Sequence, residues 1–331
     1  MSQLTRQETF DNLTTSTFYE AREELINCAY QITPFFDWLN GSGSFKEKAP
    51  EGRFFLVPIK YAKGNQNIGY FGRGDLAGTA EKEIMTDFEF YTKNVWNNIV
   101  RYWDDDRKNR GQAKILDYVQ TKVEDGIDAV IDMFETDLFT QNSDANSLTA
   151  LPTLIAEDPT SGSLGGIDRS GNAFTQNQAK DCSGLSTATS LIDEMERMWN
   201  ICSQYKGRQK SPNLLVTDRT LYQDYKRVAR AMGMITKQDN AQKIDLGYGD
   251  CCYNGADIIW SPECTTGSMY FLNNKALEFC YDPMYWFEMT EWKPMVGNSL
   301  DRNAQVISVC NLTMNCAPKN GVLFDWTTVT S

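Results

Sequence analysis

The catalytic and metal-binding chemistry open to this chain is restricted, because none of its 331 residues is histidine. Histidine is the commonest general base and metal ligand because its unperturbed pKa lies near neutrality. Ser-His-Asp triads, Cys-His pairs and histidine-ligated metal centres are therefore excluded. Only chemistry based on carboxylate, lysine, tyrosine or cysteine side chains remains.

The cysteines are the next candidates for chemistry. The sequence has 9 of them, at positions 28, 182, 202, 251, 252, 264, 280, 310 and 316. Their number is odd, and none forms the C-x2-C pair of a zinc site. Buried free cysteine is a common small hydrophobic residue. We interpret these residues as reduced thiols and predict neither a metal site nor a disulfide framework.

Two short motifs are better explained by structure than by chemistry. Asp104-Asp105-Asp106 supplies oxygens that hard cations prefer. Consecutive residues on a helix do not converge, however, so a helix cap and a solvated face explain them better. The run from Gly72 to Ala77 has the letters of a dinucleotide-binding fingerprint, which requires a helix to open at the glycines. An extended strand follows instead, so we predict a flexible loop and no cofactor.

The charge balance argues against a protein that grips nucleic acid. Lys+Arg 32 against Asp+Glu 44 gives a formal net charge of -12, opposite in sign to what phosphate neutralisation requires. The aromatic pairs Tyr285-Trp286 and Tyr281 with Trp292 could stack on bases or sugars, but their acidic surroundings favour core or interface packing. No apolar run approaches the roughly 18 residues of a membrane-spanning helix. We predict no secretory signal, since no basic stretch is followed by an apolar run.

The N-terminal segment is predicted to be an arm. A helical run from Phe18 to Tyr30 breaks at Pro34, after which Phe35, Phe36 and Trp38 cluster. This cluster has too few neighbours in its own sequence to be buried there. It therefore needs a distant surface or a partner subunit.

An extended hairpin is predicted next. Residues alternate in character over Arg53 to Tyr61 and Thr86 to Lys93, which indicates two strands. The polar, glycine-rich stretch from Lys63 to Gly78 lies between them. Such a finger is costly unless a neighbour pairs with it.

The longest helical pattern runs from Asp104 to Phe139. Its apolar residues recur at spacings of three and four, at Leu116, Val119, Val123, Ile127, Val130, Phe134 and Leu138. At about 1.5 Å per residue, this helix would span roughly 50 Å.

From Leu148 onward the pattern alternates between strands and helices, which predicts a mixed α+β domain. The predicted elements are strand Leu148 to Ala156, helix Ser186 to Tyr205, strand Asn213 to Thr217, helix Asp218 to Met232, and strands near 257–260, 269–272 and 277–281. Strand character returns over Trp286 to Phe324. The most distinctive motif is the turn Gly165-Gly166-Ile167-Asp168-Arg169-Ser170, where paired glycines allow positive φ and Asp168 could pair with Arg169.

The order of these segments resembles the phage major capsid proteins of the HK97-like fold. That family often carries a G-G-I-D-R-S-like turn followed by an aromatic residue, here Phe174. Pro212 to Tyr225 looks like its buried strand running into a helix. Met269 to Asn274 is similar to its strand ending in a Leu-Asn turn, and Val309 to Leu323 to its closing strand. The resemblance covers most of the chain.

The resemblance implies an α+β fold of the HK97-like capsid type. Its expected parts are an N-arm (1–44), an E-loop β-hairpin (45–84), a peripheral domain (85–146 and 282–331) containing a long spine helix (about 104–139), and an axial domain (147–281).

The resemblance also implies which residues contact neighbouring subunits. The expected E-loop contacts are Lys60, Lys63, Tyr70, Arg73 and Asp75. The expected N-arm contacts are Phe35, Phe36 and Trp38, while Gly165, Gly166, Asp168 and Arg169 form a structural turn. Lys60 and Lys63 could donate to the inter-subunit crosslink found in some members, but no partner residues are identified, so crosslinking is not predicted.

The expected function is that of a major capsid protein, with no enzymatic activity. Hexamers and pentamers of the chain would form an icosahedral phage head around double-stranded DNA, assembled in the host cytoplasm. The DNA would be contained without specific binding. Expected partners are further copies of the chain, a separate scaffolding protein, since the chain begins almost at the N-arm, and a portal at one vertex, while the presence of decoration proteins stays open. Two alternatives remain open: an encapsulin-like compartment and a histidine-free soluble enzyme.

Overall fold

A computed structural model describes residues 32–62, 70, 72–73, 83–104, 118–141, 144–185, 187–205, 211–231 and 251–327. In chain order, its first elements are α1 (Pro34–Gly41), β1 (Phe45–Glu47), β2 (Phe54–Lys60), β3 (Met85–Tyr91), β4 (Lys93–Arg101) and α2 (Tyr118–Phe139). Next come α3 (Leu151–Leu154), β5 (Ser163–Leu164), β6 (Ile167–Asp168), a 3-10 turn (Ala173–Thr175), β7 (Gln178–Asp181), α4 (Ala188–Cys202), β8 (Leu214–Thr217) and α5 (Arg219–Ala231). The last are β9 (Cys251–Tyr253), β10 (Ala256–Trp260), β11 (Met269–Leu272), β12 (Leu277–Tyr281), β13 (Glu288–Met289), β14 (Lys293–Met295), β15 (Asn298–Met314), a 3-10 turn (Ala317–Lys319) and β16 (Gly321–Phe324).

The chain divides into two compact units, the first of which contains residues 94–133 and 284–308. Here β4, β13 and β14 pair with β15. The helical residues of this unit approach β4 closely at Gly126, where an added Cβ would lie 2.9 Å from Ile99 Cδ1. Asn97 Nδ2 donates to the Gly126 carbonyl at 2.8 Å. Glycine therefore allows helix and strand to meet at this point.

The second unit contains residues 33–93, 134–283 and 309–331. Its main sheet has the strand order β7-β16-β11-β8-β10-β9. All four residues of β8 and all four of β11 are buried, as expected for strands covered on both faces. Helices α4 and α5 contribute Met195, Met198, Leu221 and Val228 to the same core as the sheet.

Most elements predicted from the sequence are confirmed: the hairpin, the helices at α2, α4 and α5, and the strands at β8 and β10 to β12. The strand predicted over Leu148 to Ala156 is wrong, because this segment forms helix α3 with a proline in its first turn. Proline is favoured there and cannot donate a hydrogen bond to a strand partner. Leu151 and Leu154 are buried on this helix.

The last strand also differs from the sequence expectation, which grouped 282–331 with the peripheral domain. β16 pairs antiparallel with β11 and parallel with β7, and both partners lie in the segment 147–281. Val322 and Leu323 are buried in this sheet. Pairing with strands distant in sequence sets the position of β16.

Among the described residues, no helix is long and apolar enough to cross a membrane. Leu116, Asp105 and Asp106, which belong to the predicted long helix, lie outside the described residues.

Candidate inter-subunit surfaces

The predicted hairpin is a two-stranded ribbon of β2 and β3, which we call the E-loop ribbon. Its register pairs Phe55 with Phe90 and Val57 with Phe88. These four side chains are buried, while alternate residues such as Met85 and Tyr91 are 69% and 59% exposed. The ribbon therefore packs one face on its own unit and presents the other to solvent.

The backbone pattern of the ribbon explains its proline. The Tyr61 amide donates to the Ile84 carbonyl, and the Thr92 amide donates to the Arg53 carbonyl. Hydrogen-bonded and non-hydrogen-bonded pairs alternate in an antiparallel ladder. Pro58, opposite Asp87, therefore occupies a non-hydrogen-bonded position, where its missing N–H costs no ladder hydrogen bond.

The predicted contacts of the loop are only partly described. Lys60 ends β2 with an exposed side chain, and Arg73 is also exposed. Tyr70 is fully exposed. Lys63 and Asp75 lie outside the described residues. The inter-subunit role of these five residues stays a prediction.

The aromatic residues predicted for the N-arm are placed differently from the expectation. Phe35 and Phe36 on α1 are 0% and 5% exposed. Phe35 packs against Phe139 at 5.3 Å between ring centroids, and Phe36 against Phe134 at 5.6 Å. Both rings thus find their apolar surface within their own chain, which corrects their assignment as inter-subunit contacts. Trp38 is only partly buried and keeps surface for a neighbour.

One residue that fixes α1 was missed by the sequence reasoning. The Glu135 carboxylate, 1% exposed, accepts from the Phe35 amide at 3.3 Å and from the Phe36 amide at 2.9 Å. Ser261 Oγ donates to it at 2.7 Å. Glu135 therefore satisfies free N–H groups in the first turn of α1 from a hundred residues away.

Burial sets the electrostatics of Glu135. It raises the pKa of this carboxyl, with a smaller effect in the same direction from Asp37, while the hydrogen bonds from Ser261 and from the Phe35 and Phe36 amides oppose the shift. The sequence does hold one indication that Glu135 is buried. Its carboxylate lies three residues before Leu138, on the apolar side of the helix.

The glycine turn is a short hairpin in which β5 pairs with β6. Gly165 and Gly166 have φ of 55° and 81°, as the sequence indicates. The expected pair of Asp168 with Arg169 is not formed: Asp168 is exposed and accepts from Ser170. The Arg169 side chain points inward and is 1% exposed.

The Arg169 guanidinium is held by acceptors of its own unit. Nη2 donates to the carbonyls of Thr153 and Leu154, both at 2.8 Å. Nη1 donates to Asn177 Oδ1 at 3.0 Å. Burial lowers the pKa of Arg169, while the carbonyls at the end of α3 favour a positive charge.

The first unit carries exposed apolar side chains that the sequence reasoning did not identify. Trp96, Leu300 and Val296 are 67%, 60% and 105% exposed. Tyr102 and Trp103 are about half exposed, and the Trp103 amide donates to Asp301 Oδ1 at 2.9 Å. Several large apolar side chains exposed on one unit are typical of a surface that contacts another protein.

Two kinds of reactive group are relevant to catalysis in the described residues, namely clusters that could bind a metal and cysteine thiols. The described residues contain no group of three or more cysteine, aspartate or glutamate side chains that could hold a metal ion. The eight described cysteines are free. Burial raises the pKa of the Cys202 thiol to about 12 and that of Cys182 to about 11, so neither thiol is a ready nucleophile. Of the fingerprint-like loop, only Gly72 and Arg73 are described.

Comparison with known proteins gives a fold. No protein-family model matches the sequence, and no curated protein matches it. The capsid subunit of cyanophage A-1(L) is 14% identical and matches with a TM-score of 0.64, over 95% of this chain and 99% of that chain. The capsid of Myoviridae phage XM1 is 9% identical, with a TM-score of 0.57 over 92% and 96%. The encapsulin of the holo-SrpI complex from Synechococcus elongatus PCC 7942 is 11% identical, with a TM-score of 0.56 over 95% and 96%.

These matches define the class of the fold. The chain has the HK97-like fold of these capsid and encapsulin subunits, which confirms the fold predicted from the sequence.

Proposed function

We propose that this chain is a major capsid protein, which self-assembles as hexamers and pentamers into an icosahedral phage head enclosing double-stranded DNA. The observation that carries the proposal is the fold match to a phage capsid subunit over 95% of this chain and 99% of that chain. The likeness thus extends over nearly all of a subunit that forms part of a phage capsid.

The surface of the subunit supports the same proposal. The outward face of the E-loop ribbon exposes Met85 and Tyr91, and the first unit exposes Trp96, Val296 and Leu300. Large apolar side chains of this kind are unfavourable in water and become buried when copies associate. A closed symmetric assembly buries them on every subunit.

A second candidate function is an encapsulin-like compartment. It is favoured by the encapsulin match, whose TM-score of 0.56 is close to the 0.57 of phage XM1. The two functions differ in the particle contents, which are DNA in one case and cargo protein in the other. A histidine-free soluble enzyme is the remaining alternative, and it requires a discrete subunit with a substrate cleft.

The partners belong to the proposal as well. We expect a separate scaffolding protein and a portal at one vertex, with the presence of decoration proteins left open. The protein would reside in the virion capsid after assembly in the host cytoplasm.

The test is to purify the assembled protein and image it by cryo-electron microscopy. Closed icosahedral shells built of hexamers and pentamers, with nuclease-protected double-stranded DNA, are expected. Shells filled with a folded cargo protein would instead support the compartment. A stable monomer with a small-molecule cleft would overturn both. Expression without other phage proteins tests the scaffolding partner, since regular closed shells from this chain alone would remove the need for it.

A further inference from the structure

The glycine turn contacts the E-loop ribbon through its backbone. The Glu89 amide donates to the Gly165 carbonyl at 3.1 Å. Glu89 pairs with Leu56 across the ribbon, at a position where the alternation of the ladder directs N–H groups away from the partner strand. The only acceptor that the described structure gives this amide is Gly165, so its protection from exchange reports the contact.

Gly165 also contacts the ribbon through its missing side chain. A Cβ at Gly165 would lie 2.5 Å from Phe88 Cβ and 2.8 Å from two ring atoms. The nearest obstacle is thus the rigid start of the Phe88 side chain, which cannot rotate away. At Gly166, which has φ of 81°, a Cβ would meet nothing within 4 Å. Alanine at Gly166 would therefore add backbone strain alone, whereas alanine at Gly165 would add both strain and a clash with the ribbon.

An aromatic side chain just after the turn extends the contact to the start of the loop. The Phe174 ring lies 6.3 Å from Phe88, stacked, and 5.1 Å from Tyr61. Tyr61 is the residue after β2, and its amide donates to the Ile84 carbonyl. Phe174 therefore packs against the ribbon where the loop leaves it.

The turn itself is held in place by Arg169. Its guanidinium donates to two carbonyls at α3 and to Asn177. The Arg169 amide donates to the Gly162 carbonyl at 3.0 Å. A buried guanidinium with three acceptors is costly to displace, so the turn is a fixed support for the ribbon.

We propose that the segment Gly165 to Phe174 is a clamp that positions the E-loop ribbon, with Gly165 and Phe174 as its contact residues and Arg169 as its anchor. The clamp sets the direction in which the ribbon presents its loop to a second copy of this chain. The presentation to a neighbour rests on the proposed function, whereas the clamping of the ribbon does not.

The test compares Gly165→Ala with Gly166→Ala as the matched control. Both substitutions put alanine at a positive φ, but only the first pushes against Phe88. Hydrogen exchange is measured on dissociated subunits at the Glu89 amide and on α4, and particle assembly is measured by sedimentation and electron microscopy. In Gly165→Ala, we expect Glu89 exchange to rise at least about tenfold, with α4 unchanged, and in Gly166→Ala to stay within about threefold of the unsubstituted protein.

The two readouts decide the two parts of the proposal. Faster Glu89 exchange together with fewer or irregular particles, confined to Gly165→Ala, supports it. Unchanged Glu89 exchange overturns the clamp, and faster exchange with normal particles overturns its role in positioning. If the unsubstituted protein forms no shells even when it is co-expressed with the other phage proteins, the proposed function fails, while the exchange measurement still decides the clamp.

A milder pair of variants applies if Gly165→Ala does not fold. Phe174→Leu removes the stacked ring and leaves the backbone of the turn unchanged. Its control is Phe54→Leu, which alters an aromatic pair at the other end of the ribbon, where Phe54 and Tyr91 lie 4.6 Å apart. Faster exchange at Tyr61 and impaired assembly in Phe174→Leu alone support the clamp. Equal behaviour of the two variants overturns it.

Discussion

Arg169 shows how a buried charge can be held without a carboxylate. Its neighbour Asp168 faces solvent, and the guanidinium donates to carbonyls and to Asn177. Lysine carries the same charge but lacks the planar fork that reaches several acceptors at once. We therefore expect Arg169→Lys to lower the free energy of unfolding by roughly 2 to 4 kcal/mol, measured by urea denaturation of dissociated subunits.

The control for this prediction is Asp168→Asn, which removes the charge that the sequence had suggested as the partner. Its effect on the denaturation midpoint should be much smaller than that of Arg169→Lys. Equal losses of unfolding free energy in the two variants would contradict the prediction, because they would show that Asp168 stabilises the subunit as much as the Arg169 fork does.

Glu135 gives a prediction with a definite pH direction. Burial raises its pKa in the folded state above the ordinary value of 4.5. The folded protein therefore binds the proton more tightly than the unfolded chain, so the stability contributed by Glu135 is fully present below 4.5. It is lost as the pH rises through the raised folded pKa. Relative to Glu135→Gln, which cannot titrate, the unsubstituted subunit should lose unfolding free energy over this window.

Urea denaturation at several pH values from about 4.5 upward measures this difference, since the slope with pH reports proton binding. The matched control is Asp125→Asn, the same chemical change at an exposed position on the same helix. A constant difference between the unsubstituted protein and Glu135→Gln over the whole range would contradict the prediction.

At the scale of elements, the strand pairing of the E-loop ribbon does not involve the residues of its loop. Its register and buried face are formed by residues 54–60 and 85–91. Replacing residues 63–78 by a short glycine-serine linker should leave the subunit folded, because a change in the length of the loop that joins two paired strands costs little free energy. Assembly should fail, since the loop would no longer reach a neighbour. Circular dichroism and thermal unfolding measure the first effect, and electron microscopy measures the second. Loss of subunit folding would show that the loop belongs to the core.

The predictable elements are those whose signal is local. The ribbon was predictable because Phe55, Val57 and Ile59 alternate on one face, which period two indicates directly. Helix α3 was not, since a short apolar run containing Pro152 fits either a strand or a helical turn. The positions of β16 and Glu135 depend on partners far away in the sequence, and neither periodicity nor spacing encodes those partners.

The sequence points to the glycine turn and to the aromatic residues of the N-arm, but not to the residues that they contact. The sequence identified the glycine turn, but its ribbon partner Phe88 lies about eighty residues earlier. Phe35 and Phe36 were recognised as apolar residues needing a surface, yet only tertiary packing shows that their own chain supplies it. A single sequence shows that such rings need to be buried, but it does not show which residues bury them.

At the scale of the whole molecule, charge opposes the proposed assembly. Each subunit carries a formal net charge of -12, so copies repel one another, and the DNA that the proposed head would enclose is also negative. Apolar contact must overcome this repulsion, whose range shrinks from a Debye length of about 10 Å at 0.1 M salt to about 3 Å at 1 M. Burial of apolar surface is not weakened by simple salt.

Raising the sodium chloride concentration from about 0.05 to 0.5 M should therefore speed the association of purified subunits, because screening removes repulsion between copies. Light scattering measures the rate, and electron microscopy shows the products, which the proposal expects to be irregular or open while the scaffolding protein is absent. Added double-stranded DNA should not accelerate assembly at either salt concentration, since a chain of this charge releases few counterions from phosphate. Slower assembly at high salt would mean that opposite charges across the interfaces drive association. The apolar residues exposed on the ribbon and on the first unit would then contribute less to association than these charges do.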